Sequence, residues 1–218
     1  MAVEMIVLKD RLDWLDHRTR YIGGSDAACI LGMNPWKTNV QLWEEKTGRA
    51  TPRDISDNPF VRYGTQAEEH LRALFELDFP QYVVEYVENN SFVNSKYPFA
   101  AASLDGMLTE KGTGRRGILE IKTTNIVQSM QKEKWRDRIP DNYYCQILWY
   151  LGVTEWDFAV LKAQLKYDYG DEIRLTTRHY TIQREEVEDD IAILMEAGRK
   201  FVEAIKTGKR PALILPPV

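Results

Sequence analysis

Residues 100–124 read AAASLDGMLTEKGTGRRGILEIKTT, and the layout of this stretch decides the fold. It contains Ser103-Leu104-Asp105-Gly106, then Ile118-Leu119-Glu120-Ile121-Lys122. Alternate side chains of a strand share a face. Glu120 and Lys122 therefore point one way, and Leu119 and Ile121 point to the opposite, buried side. Asp105 falls near the end of a preceding strand candidate, Ala100 to Leu108. A loop from Thr109 to Arg116 lets the two strands pair and brings Asp105 beside Glu120. Two carboxylates this close repel, and each disfavours the other's ionised form. A hard divalent cation resolves the conflict, and oxygen-only ligands point to Mg²⁺ or Mn²⁺ rather than zinc. Lys122 beside it would orient or help deprotonate a water and steady an anionic transition state. The apolar neighbours of both acids argue for a partly buried pair, which needs a partner, over a solvated sheet face with surface salt bridges.

Working outward, the pattern before this stretch is helical. Arg11 to Arg18 reads as a short helix or turn. Tyr21-Ile22-Gly23-Gly24 is a glycine break, and Ser25 is a good N-cap for an apolar helix from Asp26 to Leu31. A helix over Asn39 to Thr47 closes at Gly48. A longer one over Phe60 to Leu77 carries Ala67, Leu71, Leu74 and Phe75 at helical spacing. Tyr82 to Val87, Phe92 to Asn94 and Gly117 to Thr124 are rich in β-formers. Ile126 to Trp135 and Tyr143 to Leu151 return to helix, Phe158 to Leu165 and Arg174 to Ile182 to strand. Glu185 to Lys206 is an amphipathic helix with a stripe through Val187, Ile191, Leu194, Met195, Phe201, Val202 and Ile205. The expectation is α/β (α+β), a central mixed sheet flanked by helices.

A second segment, Arg18 through Leu31, carries binding chemistry. Gly23-Gly24-Ser25 leading into a helix offers backbone N–H groups and a positive dipole end to an anion. Ser25 adds a hydroxyl and Arg18 a bidentate phosphate clamp. By itself the same stretch is also an ordinary turn and cap.

Composition sets limits. The 218 residues are 44% hydrophobic and 28% charged, enough to bury a core and read as one domain. The net charge is −4, which argues against coating nucleic acid by bulk charge but allows a local basic groove. Two cysteines, Cys29 and Cys145, supply neither a disulfide framework nor a four-cysteine cluster. The first ten residues lack signal-peptide character, and no apolar run reaches membrane-spanning length.

Other features read more plainly. Gly112-Thr113-Gly114-Arg115-Arg116-Gly117 has the spacing of a dinucleotide loop, but it precedes a strand and reads as a hairpin. Its arginines and Lys111 could touch phosphate. His17, His70 and His179 show no metal spacing. Tyr143, Tyr144, Trp149 and Tyr150 read as core rather than base-stacking side chains. Trp36, in Asn34-Pro35-Trp36-Lys37, is either a wedge at a nucleic-acid end or plain packing. The run Glu185 to Asp190 reads as a solvated helix face, and the tail Leu213 to Val218 as a subunit or partner contact.

Taken together, the blocks resemble a known family. Trp14-Leu15-x-x-Arg18 with Ile22-Gly23-Gly24-Ser25-Asp26, Tyr63-Gly64-x-x-x-Glu68, Ser103-Leu104-Asp105-Gly106, Leu119-Glu120-Ile121-Lys122 and Tyr143-x-x-Gln146 with Trp149 occur in the order found in the lambda-exonuclease and YqaJ-like phage recombination exonucleases, a branch of the PD-(D/E)xK nucleases. Leu104 stands where the motif name has proline. The resemblance implies a restriction-endonuclease-like nuclease core in a single domain, 1–218. Its parts would be an N-terminal phosphate-binding part at about 10–50, a catalytic core at about 60–165, and a C-terminal strand and helix at 172–208.

It also implies roles. Asp105, Glu120 and the backbone carbonyl of Ile121 would hold Mg²⁺, with two ions expected and Mn²⁺ as a substitute. Glu68 would help hold the metal or its water, and Lys122 and Gln146 would position the attacking water. Arg18, Ser25 and Gly24 would grip a 5′-phosphate, with Trp36 and Lys37 also at the DNA. The implied activity is a 5′→3′ exonuclease on linear duplex DNA that leaves 3′ overhangs for a single-strand annealing protein. It would act as a homotrimer in the cytoplasm of a bacterial host, encoded by a phage or prophage. The rival readings are an endonuclease on the same fold and a degenerate nuclease fold that only binds DNA.

Overall fold

The computed structural model describes residues 3–126 and 133–215. Five strands form the central sheet: β2 (Tyr82–Glu85), β5 (Gly106–Glu110), β6 (Arg116–Ile126), β7 (Phe158–Asp168) and β8 (Ile173–Gln183), in that spatial order. Only β6 and β7 pair in parallel; their neighbours are antiparallel. A parallel pair needs a crossover, and helix α5 (Asp141–Thr154) lies on that connection. The sheet is mixed, as the sequence predicts.

A second, three-stranded antiparallel sheet was not expected. It joins β1 (Val3–Val7), β3 (Asn90–Asn94) and β4 (Ala101–Ala102). The anticipated strand over Ala100 to Leu108 is thereby broken in two. Its first part pairs with β3 and its second, β5, with β2 and β6. Ser103, Leu104 and Asp105 form the bend between the two sheets.

Each face of the central sheet has its own cover. Helix α4 (Pro59–Asp78) starts with Pro59 in its first turn and an Asn58 cap. It lays Leu71 and Phe75 on Leu108, Leu119, Ile121 and Val160. Truncating Leu71 or Phe75 there would cost about 3–5 kcal/mol. Leu74, expected in that stripe, is exposed, because it stands off the direction that Leu71 and Phe75 share. The other face carries Ile118, Ala159, Leu161 and Ala163, packed with Ile147, Trp149 and Leu151 of α5. Helix α6 (Glu188–Lys206) adds Ile191, Leu194, Met195 and Phe201 to that layer. A short 3₁₀ turn over Arg184–Glu186 precedes α6, so the helix begins later than Glu185. The expected helix over Ile126 to Trp135 falls largely outside the described residues; Ile126 itself ends β6. Residues 216–218 of the tail also lie outside them.

Three helices complete the N-terminal part: α1 (Arg11–Thr19), α2 (Gly24–Ile30) and α3 (Asn39–Lys46). Helix α2 starts two residues earlier than predicted. Gly23 is its cap, and Ser25 lies inside the helix; the Asp26 carboxylate accepts the Gly23 N–H at 3.2 Å. Ile22 bridges in parallel to Ala100, with Ile22 N–H donating to Phe99 O at 2.9 Å and Ala101 N–H to Ile22 O at 3.0 Å. That bridge sets the glycine break against the strand leading to Asp105.

Candidate active site

Asp105 and Glu120 meet because of the β5–β6 register. Gly106 faces Leu119, so the residue before Gly106 lies next to Glu120. Asp105 Oδ2 accepts the backbone N–H of Ile121 at 2.8 Å. The N–H and C=O of one strand residue leave by the same edge. The Ile121 carbonyl therefore leaves on the Asp105 side, beyond the end of the β5 ladder. Asn90 fixes the approach from the other sheet: Leu104 N–H donates to its Oδ1 at 2.8 Å, and its Nδ2 donates to Leu104 O at 2.9 Å.

Glu120 is 1% exposed. Its Oε1 accepts from Gln146 Nε2 at 2.7 Å and pairs with the Lys122 ammonium. Its Oε2 is buried with no hydrogen-bond partner among the described residues. Desolvation, then the Asp105 charge, pushes the Glu120 carboxyl up to about 8. Asp105 is raised as well, by burial above all, against the pull of Lys122. Burial drags Lys122 down, but Glu120 and Asp105 outweigh it and raise it overall. The two acids thus hold Lys122 as an ammonium beside them.

The site fits a hard cation. An orphaned carboxylate oxygen, two mutually repelling acids and a main-chain carbonyl make an all-oxygen donor set. Among the described residues no three His, Cys, Asp or Glu side chains close a metal shell by themselves. The protein share would be Asp105, Glu120 and the Ile121 carbonyl, with water completing the shell, as is common at Mg²⁺ sites.

Glu68 of α4 stands on the wall of the same cavity. Desolvation and then Asp105 push it up to about 7, while Arg72 pulls the other way. Arg72 Nη1 lies 3.3 Å from Glu68 Oε1 and also donates to the backbone O of Asp105; its guanidinium stacks on Tyr86, 3.7 Å from the ring centroid. The sequence reading passed over Arg72, although its i,i+4 spacing from Glu68 marks the pair. It also missed Asn90, which no local pattern betrays.

A cavity of about 930 Å³ joins these groups to the N-terminal segment. Its walls include Arg18, Gly24, Ser25, Glu68, Asp105, Lys122 and Gln146. Arg18 Nη2 donates to Ser25 Oγ at 2.9 Å. Tyr150 is both core and cavity wall, and its hydroxyl accepts from Gln146 Nε2 at 2.9 Å. Trp36 and Lys37 are not brought to this cavity. Trp36 is exposed on the turn after α2, and Lys37 pairs with Glu45 at 2.6 Å. Nor does the Gly112–Gly117 loop reach it. Arg115 binds Gln183 Oε1 at 2.6 Å and Arg116 stacks on Trp156, at the far end of β6 from Lys122. His17 is satisfied by Ser91 Oγ at 3.0 Å. No helix among the described residues is long and apolar enough to cross a membrane.

The mixed sheet, its helical layers and the acid–acid–lysine cluster at the bend define a restriction-endonuclease-like nuclease fold. Solved structures share it. The alkaline exonuclease of Laribacter hongkongensis superposes with TM-score 0.63 at 18% identity, over 91% of this chain and 96% of that one. A phage-related exonuclease of Haemophilus somnus 129PT gives 0.56 at 16% identity, over 86% and 96%. The chain belongs to the YqaJ-like viral recombinase domain family, whose model matches residues 13–157. It is 35% identical over 144 residues to the uncharacterized protein YqaJ of Bacillus subtilis (strain 168), matching 66% of this chain but only 42% of that relative's length.

Proposed function

We propose that this protein is an Mg²⁺-dependent 5′→3′ exonuclease that removes nucleotides from one strand of linear duplex DNA. The observation that carries the reading is the one cavity that Arg18 and Ser25 share with Glu68, Asp105, Lys122 and Gln146. A terminal phosphate on the first pair places the next phosphodiester towards the second group. The fold shared with an alkaline exonuclease, one of whose structures holds dAMP, supports the same reading.

Asp105, Glu120 and the Ile121 carbonyl would hold Mg²⁺, with Glu68 on its water side. A second ion is part of the proposal, and Mn²⁺ would substitute. Bound there, the metal would supply positive charge to a phosphate oxygen and acidify a water. The chain's own groups do the rest. Gln146 spends its amide N–H groups on Glu120 and Tyr150, which leaves Oε1 as an acceptor for the attacking water. The Lys122 ammonium donates to the phosphate oxygens as negative charge builds, where fixed donors are most effective. The water gives up a proton to solvent as its oxygen bonds to phosphorus, the P–O3′ bond breaks, and the departing 3′-oxygen takes up a proton from solvent. The products are a 5′-mononucleotide and a new 5′-phosphate end. Assembly as a homotrimer and delivery of the 3′ overhang to a single-strand annealing protein follow from the family resemblance and belong to the same proposal.

The test is digestion of end-labelled linear duplex, with and without Mg²⁺, beside a covalently closed circle. Loss of 5′ label first, only with metal and only from the linear form, is the expected result. Cutting of the circle would replace this reading by an endonuclease. Release from the 3′ end would reverse the proposed polarity.

A further inference from the structure

The cavity holds a guanidinium for which the reading above has no use. Arg11, the first residue of α1, stacks on the Trp14 indole with Cζ 4.2 Å from the ring centroid; Arg18 stacks on the same ring at 4.5 Å. Both line the cavity. The platform beneath them is fixed. Trp14 is buried, and its Nε1 donates to Asn90 O and to Ser103 Oγ, each at 3.2 Å. Ser103 lies two residues before Asp105, so the stack has a set position relative to the acids.

Two like charges on one indole repel each other. Among the described residues neither guanidinium has a carboxylate within salt-bridge distance: Arg18 reaches only Ser25 Oγ, and Arg11 has no hydrogen-bond partner. Acids are available in the same cavity, Glu68, Glu69 and Glu88, yet none closes on the pair. Two unneutralised guanidiniums on a rigid aromatic support form a site for a ligand with more than one negative group, and their forked donors suit phosphate oxygens. Arg18 lies on the Ser25 side of the stack. Arg11 lies within electrostatic reach of Glu68 and Tyr86, nearer the acids.

We propose that Arg11 binds the phosphodiester next to the terminal phosphate held by Arg18, the same one that is directed towards the acids, making it a specificity residue for the strand being degraded. This rests on the reading under Proposed function and adds the second phosphate to it. Binding of short duplexes with a recessed or blunt 5′-phosphate or 5′-hydroxyl end, followed by fluorescence anisotropy in Ca²⁺ across a salt series, tests it apart from catalysis. Arg11→Ala should weaken binding about tenfold on both ends and lower the log–log salt slope by about 0.7–0.9. Arg11→Lys should regain the slope but only part of the affinity. Arg18→Ala should lose affinity only for the phosphorylated end.

An Arg11→Ala protein with the parent's affinity and slope would overturn the assignment. So would an effect confined to phosphorylated ends, which would put Arg11 on the terminal phosphate. If the parent binds duplex with the expected Arg11 dependence but never digests it with Mg²⁺, the exonuclease reading falls and the phosphate site stands. If the parent digests DNA and Arg11→Ala matches it throughout, only the Arg11 site falls. Failure of the parent to bind any duplex would sink both.

Discussion

Asp105 Oδ2 accepts the N–H of Ile121 at 2.8 Å from a position just outside the β5 ladder. One bond thus fixes the carboxylate beside Glu120 and uses an N–H at the strand edge. Asp105→Asn keeps an oxygen to accept that bond but removes one of two charges that repel. Digestion should fall by more than about 1000-fold, and Mn²⁺ binding by calorimetry should be lost. The metal-free protein should melt at least as high as the parent at pH 8, and about 2 °C higher if the relief approaches 1 kcal/mol. A variant that still binds Mn²⁺ would remove Asp105 from the metal site.

The raised carboxyls give a pH dependence of known sign. Glu68 and Glu120 sit at about 7 and about 8 against an ordinary 4.5. Between 4.5 and 8 the folded, metal-free protein therefore holds more protons than the unfolded chain, and its stability falls as pH rises through that window. Thermal melts with chelator should show a lower midpoint at pH 8.5 than at pH 6. Mn²⁺ favours the ionised acids, so it should raise the midpoint more at pH 8.5 than at pH 6. Calorimetry in buffers of different ionisation enthalpy should register proton release on metal binding. A metal effect equal at both pH values would contradict the buried acid cluster.

The two acids and the lysine were legible because strand alternation and one hairpin suffice to align them; Gln146, on helix α5, was named only through the family resemblance. What supports them was not legible. The small β1–β3–β4 sheet depends on the pairing of β1 with β3, between residues as far apart in the chain as Val3 and Asn94, which leaves no periodic trace. Asn90 clamps Leu104, 14 residues further on, from the end of that sheet, and its short polar side chain reads as a turn residue in the sequence. Trp36 and Lys37 were drawn to the site by nearness in sequence to Ser25, but the chain turns away after α2 and Lys37 is taken by Glu45.

Gly24 has no room for a side chain. A Cβ there would lie 2.3 Å from Tyr150 Cε1 and 3.0 Å from Gln146 Cγ. Gly24→Ala should therefore push Tyr150 and Gln146, and through Gln146 disturb the Glu120 hydrogen bond. Overpacking of this kind costs about 1–3 kcal/mol, and the turnover rate should fall with it. Gly23→Ala is the control. Its Cβ would meet nothing closer than 3.9 Å, so the rate should stay near that of the parent, and the melting temperature should fall only by what the loss of a glycine N-cap costs, about 1 kcal/mol at most. Equal behaviour of the two variants would show that the contact with α5 does not govern the site.

Arg72 joins three groups that the metal site needs in register: the Asp105 carbonyl, the Glu68 carboxylate and the Tyr86 ring. A lysine keeps the charge but has neither the planar fork nor the stacking face. Arg72→Lys should lower Mn²⁺ affinity about tenfold, the lower end of what loss of an outer partner costs a metal site. DNA affinity measured without divalent metal should change little, because the lost contacts serve the acids. Tyr86→Phe keeps the ring and should match the parent in both assays. If Arg72→Lys instead weakens DNA binding and leaves Mn²⁺ affinity intact, the guanidinium is a phosphate ligand and the Asp105 backbone is held by the Asn90 clamp alone.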